Sequence, residues 1–222
     1  MKLKVCGMKH NTMEVASLGP DFLGFIFWEG SPRHFEGPAL PTLPEGIIPV
    51  GVFVDTEPDI ILSHVQGYAL GAVQMHGQES PAYCRDLRMR LNGSGLDKTQ
   101  LIKAFSIGEK FSFDILQGYL PYCDYFLFDT KGRLPGGTGR TFNWEVLQEY
   151  PYEKPFLLSG GIGEAHCLML QEFLSSPKAK FCLGIDVNSK FETEPGLKDT
   201  EALRRFLECG CWTVKSPGLE KT

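Results

Sequence analysis

Short apolar runs rich in β-forming residues recur eight times along this chain, and most of them stop at Gly, Asp, Ser or His. They are Leu3–Gly7, Phe22–Phe27, Ile48–Val54, Gly71–His76, Gln100–Phe105, Tyr125–Asp129, Pro155–Ser159 and Cys182–Val187. Continuous apolar runs of this length mark strands covered on both faces, because a half-exposed strand would alternate apolar with polar residues. Helix-like spacing separates several of them, over Glu57–Gln66, Ser80–Leu91, Phe142–Glu149, Gly163–Leu174 and Thr200–Cys209. Ser80-Pro81 and Thr200-Glu201 mark helix starts, since a short polar side chain and an early proline suit a first turn. Gly37–Gly46 reads as irregular chain and Asn92–Lys98 as a polar loop.

Strands alternating with helical segments imply an α/β fold with a parallel sheet. Eight such units in 222 residues fit a closed (β/α)8 (TIM) barrel better than an open doubly wound sheet, although periodicity alone leaves both open. No linker-like stretch or composition shift divides the chain, so one barrel domain over residues 1–222 is expected.

A net charge of −5 disfavours nonspecific nucleic-acid binding, which needs a basic face. It is compatible with a small anionic substrate, because helix N-termini and loop N–H groups bind phosphate locally. The Met1–Gly7 start lacks the apolar core of a signal peptide, and no segment has the length of a membrane span. The reading is therefore cytoplasmic, with no membrane partner and with reduced thiols. Seven cysteines, an odd number, include no CxxC pair. Cys209-Gly210-Cys211 lacks a second Cys/His pair at zinc spacing, so no metal site is expected. Monomer and homodimer are both open.

Barrel enzymes place their chemistry at the C-terminal strand ends. There the sequence gathers Cys6, Arg33, Asp55, His76, Asp129, Ser159-Gly160-Gly161, Asp186 and Asn188-Ser189. Gly160-Gly161 has no Cβ to keep backbone N–H groups from a ligand, and loops after strands seven and eight often bind phosphate in this fold. A plain turn is the alternative. The glycine-rich stretch Pro135–Thr141 matches neither a Walker loop nor GxGxxG. It reads as a substrate cover or as a surface turn. Cys6 and Asp129 form an acid–base pair if they face each other across the mouth; otherwise they are a buried thiol and a capping carboxylate. His76 either touches substrate or packs at the rim. Arg33 either pairs with a carboxylate through its planar fork or is solvated.

Taken in order, several segments resemble the phosphoribosylanthranilate isomerase family. Lys4-Val5-Cys6-Gly7-Met8 is similar to its opening strand, and Leu23-Gly24-Phe25-Ile26-Phe27 with Ser31-Pro32-Arg33 to its second. Val73-Gln74-Met75-His76-Gly77 resembles strand four, Phe128-Asp129-Thr130 strand six, and Gly136–Trp144 the loop that follows. Leu157–Ile162 and Gly184–Ser189 resemble the phosphate loops, and Glu194–Asp199 the segment after them. Lys190 departs from the pattern, where glycine is frequent.

The resemblance implies an Amadori rearrangement of N-(5-phosphoribosyl)anthranilate in tryptophan biosynthesis, without a cofactor. Cys6 would be the general base and Asp129 the general acid. Arg33 would meet the anthranilate carboxylate, and His76, Gly160, Gly161, Asp186, Asn188 and Ser189 would bind the rest of the sugar phosphate. Two rivals are weighed against it. A related histidine-pathway isomerase has aspartate in place of Cys6 and a substrate with two phosphates. A catalytically silent sugar-phosphate binder has no need of the Cys6/Asp129 pair.

Overall fold

The eight apolar runs form eight parallel strands that close on themselves. They are β1 (Lys2–Cys6), β2 (Phe22–Ile26), β3 (Ile48–Phe53), β4 (Ala72–Met75), β5 (Gln100–Ile107), β6 (Tyr125–Thr130), β7 (Phe156–Ser159) and β8 (Cys182–Val187). The computed structural model describes residues 1–108, 111–130 and 144–209. Neighbours in sequence are neighbours in the sheet, and β1 also pairs with β8, with Lys4 opposite Asp186. That last pairing settles the choice left by periodicity: the sheet is a closed barrel and not an open doubly wound sheet.

Inside the barrel, alternate strand residues Phe22, Val50, Ala72, Ile102, Leu127 and Leu157 make an apolar floor. Their neighbours face outward, as strand geometry requires. Leu23, Phe25, Phe53, Phe126, Phe128 and Phe156 pack there against the surrounding layer. Each such buried side chain contributes roughly 1.5–3 kcal/mol of apolar transfer. The continuous apolar runs of the sequence are thus explained by two apolar faces per strand.

The outer layer is less regular than the inner one. Among the described residues it holds α1 (Thr12–Ala16), α2 (Pro58–Gly67), α3 (Pro81–Gly93), α4 (Cys167–Leu174) and α5 (Thr200–Glu208). Ser80 accepts a hydrogen bond from the Tyr83 N–H at the start of α3, and Pro81 follows it. At α5 the capping oxygen belongs to Asp199, one residue before the expected start, and accepts from the Ala202 N–H. The expected helix over Gly163–Leu174 opens as a 3-10 turn over Glu164–His166 before α4. Phe142–Glu149 is a 3-10 helix over Trp144–Glu149 as far as it is described. Helix α3 runs on to Gly93, into the expected polar loop. A short hairpin of β9 (Glu192–Glu194) and β10 (Leu197–Lys198) follows β8. Among the described residues, no helix is long and apolar enough to cross a membrane.

The expectation of reduced thiols is corrected at one pair. Cys167 and Cys209 form a disulfide with their Cα atoms 6.5 Å apart, within the usual range for such a bridge. It joins the first residue of α4 to the residue after α5. The same two elements are held by Gln171 Nε2 donating to the Cys209 carbonyl. Tertiary proximity of this kind is invisible to an argument from compartment. Cys6, Cys84, Cys123 and Cys182 are free and buried. Cys211 and the glycine-rich stretch Pro135–Thr141 lie outside the described residues.

Candidate active site

A cavity of about 200 Å³ opens at the C-terminal ends of the strands. Eight of the nine residues that the resemblance assigns to catalysis and binding line it: Cys6, His76, Asp129, Gly160, Gly161, Asp186, Asn188 and Ser189. Strand register brings them together, because each stands at or just beyond the end of its own strand. A larger hollow of about 420 Å³ lies between residues 9–14 and the chain around Phe35–Pro41, and it holds none of the nine. The strand-end cavity is where Cys6, Asp129 and the glycine doublet converge, so it is the candidate site.

On one side stands Cys6, 4 % exposed at the end of β1. Burial raises its thiol pKa above the ordinary value, and the charges of Lys4 and Lys198 pull the other way. Beneath it Lys4 is fully buried and its Nζ lies 2.8 Å from Asp186 Oδ1. Ser159 Oγ donates to Asp186 Oδ2 at 3.2 Å.

Across the cavity Asp129 on β6 faces His76, with His76 Nε2 3.6 Å from Asp129 Oδ2. Gln74 Nε2 donates to His76 Nδ1 at 2.9 Å. The Gln74 amide thus fixes one edge of the ring and turns Nε2 toward Asp129.

At a third edge, Gly160 (φ +107°) and Gly161 (φ +66°) turn the chain sharply after β7, in a region that side chains avoid. Lys190, exposed in the 3-10 turn Ser189–Phe191, lines the same cavity. Its stem lies against Gly163, so the lysine that replaces the frequent glycine stands beside the glycine doublet's loop.

Arg33 is the exception among the nine. It is not part of the cavity lining, and its fork is already occupied. Nε lies 2.9 Å from both Glu192 oxygens, and Nη2 donates to Oε2 at 2.6 Å. Lys198 Nζ donates to Glu192 Oε1 at 2.6 Å and to Asn188 Oδ1 at 2.7 Å. Two cations therefore share one carboxylate next to the cavity. Burial raises the Glu192 carboxyl, but the hydrogen bonds from Arg33 and Lys198 outweigh it and hold it below its ordinary value. Burial lowers the Lys198 ammonium, only partly opposed by Glu192.

Lys4, Glu192, Lys198 and Gln74 were not among the residues expected to build the site. For Lys4 a signal existed. It stands two residues before Cys6 and so on the same strand face, and a lysine pointing into a barrel needs an acidic partner. Glu192 and Lys198 gave no comparable signal.

The fold and this mouth define a (β/α)8 barrel whose strand ends bring a thiol, a carboxylate and a glycine doublet to one cavity. A family model for N-(5'-phosphoribosyl)anthranilate (PRA) isomerase matches residues 3–209. The N-(5'-phosphoribosyl)anthranilate isomerase of Phocaeicola vulgatus is 40% identical over 209 residues, covering 93% of this chain and 96% of that one. The crystal structure of phosphoribosyl anthranilate isomerase from Thermotoga maritima superposes with a TM-score of 0.73 at 26% identity, over 94% of this chain and 98% of that one. A structure of phosphoribosyl anthranilate isomerase in complex with reduced 1-(o-carboxyphenylamino)-1-deoxyribulose 5-phosphate shares the fold at 24% identity. Its TM-score is 0.71, over 94% of this chain and 97% of that one. The chain belongs to the N-(5'-phosphoribosyl)anthranilate isomerase family, and it is an isomerase.

Proposed function

We propose that this barrel rearranges N-(5-phosphoribosyl)anthranilate into 1-(2-carboxyphenylamino)-1-deoxyribulose 5-phosphate, the isomerase step of tryptophan biosynthesis, with Cys6 as base and Asp129 as acid. The observation that carries the reading is the placement of a buried thiol and a half-buried carboxylate on one cavity, with the glycine doublet at its edge. Asp129 protonates the furanose ring oxygen, and the ring opens to a Schiff base on the anthranilate nitrogen. Cys6, as thiolate, removes the proton from C2. The C–H electron pair forms the C1–C2 double bond and the imine pair returns to nitrogen, giving an enolamine. Protonation at C1, with loss of the proton from the C2 hydroxyl, then yields the ketone.

Each pole of the substrate has a matching group. The N–H groups of Gly160 and Gly161 suit the phosphate, with Ser189 and Lys190 alongside. Arg33 and Lys198 carry two positive charges against the single charge of Glu192, so the edge near Cys6 keeps one uncompensated charge for the anthranilate carboxylate. His76 and Gln74 orient the acid side. Asp186 and Asn188, anchored by Lys4 and Lys198, face the sugar. One barrel domain suffices for all of these contacts.

The test is direct. Phosphoribosylanthranilate is generated in situ from anthranilate and phosphoribosyl pyrophosphate, the purified protein is added, and loss of substrate fluorescence is followed. Mass spectrometry then identifies the product. Protein-dependent conversion to the rearranged ketone is expected. A folded protein that binds the product analogue without converting substrate would overturn the reading.

A further inference from the structure

A fully buried lysine inside a barrel needs a reason. Removing an ammonium from water is costly unless a charge partner and good hydrogen bonds compensate. Lys4 has its partner in Asp186 Oδ1 at 2.8 Å. As a purely structural pair this is an inefficient device, since apolar side chains of similar volume often do as well or better in such a place. Its location points to something else. Lys4 and Cys6 lie two residues apart on β1 and face the same way, into the barrel. Opposite Cys6 on β2 is Gly24. A Cβ at Gly24 would lie 2.9 Å from Cys6 Sγ and 3.2 Å from Lys4 Nζ. Thiol and ammonium thus reach for the same point, and the missing side chain leaves it to them.

We infer that Lys4 is a positioning residue for the base: its ammonium, anchored by Asp186, stabilises the Cys6 thiolate that takes the C2 proton. The inference rests on the assignment of Cys6 as base. Lys4 keeps its own proton throughout; the proton from C2 ends on sulfur and the electron pair on the substrate. Other charges also surround the thiol. Lys198 on β10 and Arg33 beyond β2 favour the thiolate, with Glu192 between them, and Asp186 on β8 opposes it. Across the cavity stand Asp129 and His76. Burial is the largest influence and acts against the thiolate, with Lys4 the largest opposing charge.

The experiment measures the pH dependence of Cys6 carbamidomethylation by iodoacetamide, read by peptide mass spectrometry, together with the thiol limb of kcat/KM. An opposite charge this near typically moves a titration by about 1–3 pH units. In Lys4→Met the Cys6 midpoint and the kinetic limb should therefore both rise by that much. Because Lys4→Met strands Asp186, a second pair guards against misfolding. Asp186→Asn and Lys4→Met/Asp186→Asn leave no orphaned carboxylate, and the double variant should titrate higher than the single one by a similar interval. Superimposable alkylation profiles within both pairs would overturn the role of Lys4 and leave Cys6 as base. Near-wild-type turnover by Cys6→Ser would instead overturn the base assignment and the inference with it.

Discussion

The two sides of the barrel mouth are built on different principles. On the side proposed for the base, Cys6 sits over Lys4 and Asp186 and beside Arg33, Glu192 and Lys198. Of these charged side chains only Arg33 is more than slightly exposed, and each has an opposite partner. On the acid side, Asp129 is 24 % exposed and its ion contact among the described residues is His76 at 3.6 Å. The difference fits the tasks proposed for Cys6 and Asp129. A base that must become anionic inside protein needs fixed charges around it, while an acid that must hold and release a proton needs room and few cations. A web of buried charge also ties the chemistry to the fold, because loss of one partner strands another. The acid side has no such debt to stability.

This contrast can be broken experimentally. The largest effect on stability is expected from Glu192→Gln, which leaves Arg33 and Lys198 facing each other; breaking a buried pair costs about 3–5 kcal/mol. Thermal or denaturant melts measure it, and an unchanged midpoint would show that the web is ornamental. Arg33→Ala should act mainly on binding. Hydrogen bonds to charged groups contribute roughly 1.5–3 kcal/mol, so KM should rise by about tenfold or more while kcat changes less. An unchanged KM removes Arg33 from the carboxylate site.

A smaller effect concerns pH. Glu192 has a folded-state pKa below its unfolded value. Its contribution to stability is therefore complete above the unfolded pKa, near ~4.3, and fades as pH falls through the folded value. The difference in melting temperature between wild type and Glu192→Gln should shrink over that acid window, and a constant difference would mean that the carboxylate is not held by its cations. The smallest effect is expected at Asp129→Asn. A half-exposed ion contact contributes about 0–1 kcal/mol, so its melt should match wild type closely even as activity falls.

The inner barrel was largely legible in the sequence because each strand is apolar on both faces. Cys182–Val187 was read to the residue, and Gln100–Phe105 ran two residues short, at the partly polar end Ser106-Ile107. The outer layer was less legible. The 3-10 helix Phe113–Tyr119 and the β9–β10 hairpin carry no clean period, and α1 is barely more than one turn. Of the site, the residues at strand ends could be found because the fold dictates where chemistry sits. The charge web could not. Lys4 meets Asp186 across 182 residues of sequence, and Arg33 meets Glu192 across 159. Arg33 itself shows the limit: its residue type suggested a fork for a carboxylate, but nothing local showed that Glu192 shares that fork.

The most direct test sets Cys6→Ser and Asp129→Asn beside wild type in two assays, turnover of phosphoribosylanthranilate and calorimetric binding of reduced 1-(o-carboxyphenylamino)-1-deoxyribulose 5-phosphate. Each general acid–base step contributes typically ~10²–10⁴-fold, so both variants should lose at least ~10²-fold in kcat while still binding the analogue. Near-wild-type turnover by either one would contradict the division of the mouth into a base side and an acid side.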